Sequence, residues 1–150
     1  KGLSLVFIDP TDCSLPFASV AAIAHALQAA DFIINVATRT DATRNLKLAI
    51  SNEDSNVRAK YIRFLGGEAF FQDPTVIQMA KLGQDSALRN AFRYAYRDAL
   101  RKIGYNFFAQ ESVEFYYDLL FACQHPTGLS FWKKAQQIAP DNQRTFDLGM

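Results

Sequence analysis

The chain has 150 residues, is 49% hydrophobic and 21% charged, and carries a formal net charge of +1, which fits one ordinary globular domain and excludes a disordered chain. Its two cysteines, Cys13 and Cys123, lack a zinc-like spacing with His25 or His125, so the sequence offers no pattern for a structural zinc and a reduced, cytoplasmic setting is the expectation. No apolar run is long enough to span a bilayer, and the opening residues lack the pattern of a signal peptide.

The first element is the apolar run Leu3, Leu5, Val6, Phe7 and Ile8, which reads as a strand buried on both faces of a parallel sheet. Asp9-Pro10 ends it, because proline offers no amide proton and holds the residue before it extended. The Asp9 carboxylate is thereby expected at the carboxyl edge of the sheet, where open α/β sheets bind ligands. Residues 16 to 29 predict a crossover helix with Phe17, Val20, Ile23 and Leu27 on its apolar side, and Asp31 to Val36 a second central parallel strand.

Residues 37 to 45 read as a polar, ligand-facing loop in which Arg39 and Arg44 either hold phosphate or carboxylate or are simply solvated. Ser51 to Asn56 is turn-rich, Val57 to Leu65 predicts a helix stopped by Gly66-Gly67, and Asp73-Pro74 starts another that ends at Gly83. The strongest helical pattern spans Asp85 to Ile103, where Arg89, Arg93, Arg97 and Arg101 recur at every fourth position. Residues 57 to 104 hold nine Lys/Arg against four Asp/Glu. The ridge is therefore either a phosphate-contacting surface or the solvated side of an amphipathic helix. This region, about residues 55 to 103, forms an inserted helical block.

Tyr105 to Ala109 and Val113 to Cys123 predict an antiparallel pair at the end of the sheet, joined through Gln110, Glu111 and Ser112. Tyr116 and Tyr117 either stack on a base or fill space beside the sheet. His125-Pro126-Thr127-Gly128 breaks the chain before a last helix, Leu129 to Ile138, and the polar tail to Met150 is a docking arm or a frayed end.

Three segments, LVFIDPTDCSLPF, DFIINVATRTDATRN and YYDLLFACQHPTGLSFWKK, lie in an order that resembles the three-Cys-motif partner proteins, a bacterial and phage family with a methyltransferase-like fold. The resemblance implies an α/β fold, the C-terminal portion of a Rossmann-like (class I methyltransferase-like) three-layer sandwich with a mostly parallel sheet and a terminal antiparallel hairpin. The first strands and the cofactor loop would then lie upstream of Lys1. It further implies a methyl transfer from S-adenosylmethionine, with nucleic acid as the acceptor and Asp9, Pro10 and Thr11 at the catalytic position. The alternative is a non-catalytic binding partner of a cysteine-rich three-Cys-motif protein. Thr11 departs from the aromatic or proline residue of base-modifying enzymes, so base stacking does not carry over. His125 and Gly128 match the family's late motif, as a fold-closing or substrate-side loop.

Overall fold

The computed structural model describes residues 3–53, 55–113 and 117–137. Tyr116 and the tail from Ile138 onward lie outside these residues, as does the Tyr117 side chain. Strand β1 (Ser4–Ile8) leads through α1 (Phe17–Leu27) to β2 (Ala30–Val36), a π-helical turn (Thr38–Ala42) and α2 (Thr43–Ser51). Four helices follow: α3 (Asn56–Leu65), α4 (Ala69–Gln72), α5 (Pro74–Lys81) and α6 (Asp85–Lys102). The hairpin of β3 (Phe107–Val113) and β4 (Tyr117–Cys123) then precedes α7 (Pro126–Gln136).

Local chemistry sets most boundaries. Ser55 caps α3 by accepting from the Arg58 amide, and Gly66, at φ +73°, closes it in the left-handed conformation that glycine adopts without steric cost. Asp73 caps α5, with Pro74 in its first turn, and Pro126 opens α7 in the same way.

The sheet corrects the expectation of a mostly parallel, Rossmann-like, methyltransferase-like three-layer arrangement. Its order is β1-β2-β4-β3, and only the β1–β2 ladder is parallel; β2–β4 and β3–β4 are antiparallel. By pairing, the sheet is mixed and mostly antiparallel. The cause is the placement of the hairpin, which is not appended at the sheet's end: β4 enters beside β2 and separates it from β3. Strand β3 therefore runs in the direction of β1 and β2 without bonding to either. The hairpin itself is displaced from its predicted position, since Gln110, Glu111 and Ser112 are not a turn but belong to β3, opposite Leu120, Leu119 and Asp118. A polar stretch is tolerated there because β3 is an outer strand of the sheet.

Residues 37 to 45 are also not a loop, since the π turn and the first turn of α2 occupy all of them but Ala37. Their helical signal is the spacing of Ala42, Leu46 and Ala49, all buried.

The core fills one face of the sheet. Register places Val6 beside Phe32 and Ala122, and Ile8 beside Ile34 and Leu120. Helices α1, α3 and α6 cover these residues with Phe17, Val20, Phe64, Phe92 and Tyr96. The aromatic rings interlock: Phe64 stacks on Tyr96 at 4.6 Å, and Phe17 meets the Tyr96 ring edge-on at 5.9 Å. On the opposite face α7 packs against β3 and β4, with Trp132 stacked on Phe121 at 5.0 Å. Nothing among the described residues covers that face over β1.

Strand β1 is consequently an outer strand buried on one face only, and this corrects the reading of a central, doubly buried strand. Val6 and Ile8 turn inward, whereas Leu3, Leu5 and Phe7 remain 66%, 63% and 61% exposed.

Candidate functional site

Three groups of residues gather at or near the end of the sheet reached by β1 and β2. The first is built on the π turn after β2, which carries Asp41 inward. Its carboxylate accepts hydrogen bonds from the Cys13 amide at 3.0 Å, Asn45 Nδ2 at 2.8 Å, Lys60 Nζ at 2.5 Å and the Tyr61 hydroxyl at 3.1 Å. Lys60 also lies 3.5 Å from Asp12. Burial works against the charge on Asp41, but these donors outweigh it and hold the carboxyl below its usual range. Burial opposes the charge on Lys60 as well, and the Asp41 contact overcomes it and raises the ammonium. Burial pushes the Tyr61 hydroxyl and the Cys13 thiol upward, with Asp41 adding to both, so neither is an activated nucleophile or base.

The second group is centred on Asp118 at the start of β4. It accepts from Thr38 Oγ1, Ser112 Oγ and the Arg93 guanidinium, each at 2.7 Å, and is 2% exposed. The third joins Asp9 to Asn35, whose Nδ2 donates to the Asp9 carboxylate at 2.8 Å. Asp9 and Thr11 are exposed, and Pro10 is half-buried. The buried Asn35 Oδ1 has no hydrogen-bond partner among the described residues.

The other residues singled out by sequence are held in different ways. Arg39 lies in the π turn and Arg44 in the first turn of α2, and their side chains are outside the described residues. On α6, Arg89 is half-buried, Arg93 is tied to Asp118, and Arg101 pairs with Asp98. Arg97 lies over the rings of Tyr94 and Phe108. Three of the ridge's four arginines thus have partners within the fold.

His125 caps α7: its Nδ1 accepts from the Thr127 amide at 3.3 Å and lies 2.8 Å from the Thr127 hydroxyl. Gly128 sits against the sheet, where an added Cβ would meet Cys123 Sγ at 2.7 Å and Asp31 Oδ2 at 3.1 Å. Burial raises the Cys123 thiol to about 11, so it stays protonated at neutral pH.

The feature that sequence reasoning missed is the free side of β1. The Ser4 amide donates to Ala29 O at 2.9 Å, toward β2. Because the N–H and C=O of one residue point the same way and alternate along a strand, Val6 and Ile8 also face β2. The backbone groups of Leu5 and Phe7, with those of Leu3 and Asp9 beside them, face outward. No strand among the described residues pairs with this edge. Beside it lies an apolar groove of about 240 Å³, lined by Leu3, Leu5, Ile33, Phe121, Phe131 and Trp132 among others. A larger open cleft of about 600 Å³ lies along α4, α5 and α6. Two of its charged groups are already engaged, Asp73 as the cap of α5 and Asp98 with Arg101, so they do not converge on a guest.

No family model matches the chain, and no curated protein or solved structure matches it either. The methyltransferase reading is corrected on two grounds. The sheet is not the mostly parallel one it requires, and no relative supports transfer from S-adenosylmethionine to nucleic acid. Neither S-adenosylmethionine nor the three-Cys-motif partner family gains support, and no cofactor-binding signature stands out among the described residues. No helix of the described residues is long and apolar enough to cross a membrane.

Proposed function

We propose that the chain is a protein-interaction module that receives an extended polypeptide segment along the outer edge of β1. The observation that carries this is an uncharged edge strand, Ser4–Ile8, with outward-facing backbone groups and with Leu5 and Phe7 exposed beside an apolar groove. Soluble proteins blunt such edges with lysine, proline or a bulge, and none of these lies within β1. An added strand would bond to the backbone of Leu5 and Phe7 and lay its alternate side chains over the bare face. Fully burying each of these side chains is worth about 1.5–3 kcal/mol before the cost of association, which leads to an expected affinity in the micromolar range.

The polar groups at the sheet end fit this reading because their members bond to one another. Asp41 and Asp118 each sit among several donors from the fold itself, the arrangement of a structural staple.

The test is selection of a phage-displayed library of random octapeptides on the full chain, followed by fluorescence anisotropy of the enriched peptides. Alternating apolar sequences should be enriched, and their binding should be lost in the double variant Leu5→Lys/Phe7→Lys. Lack of enrichment, or binders indifferent to that variant, would overturn the proposal. Both residues are exposed, so the far-ultraviolet circular dichroism of the variant should match that of the parent.

A further inference from the structure

Resting on that reading, we infer that the segment received by β1 is the β1 strand of a second copy of this chain, paired antiparallel about a two-fold axis through Val6. The strand fits its own edge by parity. With Val6 opposite Val6, Leu5 of one copy lies opposite Phe7 of the other, and these are the residues whose N–H and C=O both face outward. Each Leu5–Phe7 couple can then exchange both of its backbone hydrogen bonds, as the narrow pairs of an antiparallel ladder do. Val6 falls at the wide pair on the axis, with its own backbone groups still engaged with β2.

The side chains agree with the same axis. A two-fold perpendicular to the sheet leaves the covered faces of the two copies on one side and the bare faces on the other. Leu5 and Phe7 of one copy therefore become cross-strand neighbours of Phe7 and Leu5 of the other. No charge falls within Ser4–Ile8, and each Asp9 lies opposite Leu3, at the far end of the ladder from its counterpart, so like charges never meet. The interface is isologous and closes on itself: it occupies the β1 edge of both copies, leaves β3 outermost at each end, and joins the described strands into one eight-stranded sheet rather than a filament.

Size sets the expected strength. The exposed fractions of Leu3, Leu5 and Phe7, with the neighbouring Phe131, offer at most about 500 Å² per copy, so the apolar area of the pair stays below about 1,000 Å², under the range of most stable complexes. A dimer that dissociates on dilution through the micromolar range is the consequence.

The experiment is light scattering coupled to size exclusion on the full chain, loaded from about 100 µM down to about 1 µM. The expected mass is twice the 16.9 kDa of one chain at the top of the range, falling toward one chain on dilution. Two charged variants then test the register. Leu5→Lys/Phe7→Lys sets Lys against Lys across the axis, and Leu5→Glu/Phe7→Glu sets Glu against Glu, so each alone should run as a monomer. A parent that stays monomeric at 100 µM would overturn the inference, as would a dimer that survives either double variant, or growth beyond two copies. Peptide binding that persists on a monomeric parent would leave the strand-receiving reading standing without self-pairing. Loss of peptide enrichment removes the broader reading by itself.

Discussion

At the scale of single residues, Gly128 shows how closely the fold has been drawn together. It lies in the first turn of α7, and its missing Cβ lets the helix approach Cys123 and Asp31 on the sheet. An alanine there would place a carbon 2.7 Å from a sulfur and 2.8 Å from the Cys123 Cβ, both well inside contact distance. The helix must then lift or the strand must shift, and overpacking of this kind costs about 1–3 kcal/mol. Gly128→Ala should therefore lower the unfolding free energy from chemical denaturation by that amount. A loss of Trp132 burial, read as a red shift of its fluorescence, should accompany it, because Trp132 stacks on Phe121 from the same helix. Gly67 provides the control, since no atom lies within 4 Å of its hypothetical Cβ; Gly67→Ala should be close to neutral.

Between elements, the contact that fastens α6 to the hairpin is Arg93 to Asp118. The carboxylate is almost fully buried, and Arg93 supplies it with a charged hydrogen-bond donor. Removing the arginine takes the guanidinium away from a buried charge, an imbalance worth about 3 kcal/mol. Arg93→Met should cost about that much in a urea titration, and Asp118→Asn added to it should recover more than half, because the charge itself is then gone. A single-variant cost below about 0.5 kcal/mol would mean that water reaches the carboxylate and that the pair does not fasten the elements.

This element scale is also where the sequence stops being sufficient. Strands β1 and β2, helix α3 with its glycine stop, the Asp73-Pro74 start of α5 and the long α6 all follow from short-range pattern and capping chemistry. What escapes is decided by distant segments. The apolar run at β1 is the same string whether one face or two are covered, and only the position of α7 over β3 and β4 decides that Leu5 and Phe7 stay bare. Likewise, no local signal places β4 between β2 and β3. Asp41 reads as one acid between two arginines, yet its partners Cys13, Lys60 and Tyr61 lie 28, 19 and 20 residues away. Helix α2 is missed for a more local reason: it is short, and no capping side chain or proline marks its start.

For the whole molecule, the Asp41 group links the β1–α1 turn, the π turn and α3, so its titration should govern how the fold responds to pH. The folded state holds Asp41 below its unfolded value of about 3.9, so its contribution is present above that pH and is lost as the pH falls through the lower folded value. Asp12, lowered first by its bond from Ser14, acts in the same sense. Lys60 is raised, so its share is complete below about pH 10.4 and is lost only as the pH climbs through the higher folded value. Burial raises Asp31, which runs the other way: it favours the folded state in acid and weakens it once the pH passes the unfolded value. With two carboxyls lowered and one raised, denaturation free energy should hold a plateau near neutrality and fall below about pH 4. Asp41→Asn should lower that plateau by about 2–3 kcal/mol, since Lys60 loses its nearest countercharge, and should flatten the acid limb because a proton-binding site is gone. Asp31→Asn should instead raise stability at neutral pH and steepen the acid limb. Denaturation midpoints at intervals from about pH 2 to pH 8 separate these outcomes. If Asp41→Asn retained the parent's full acid slope, the linkage between these three segments would reside in some other group.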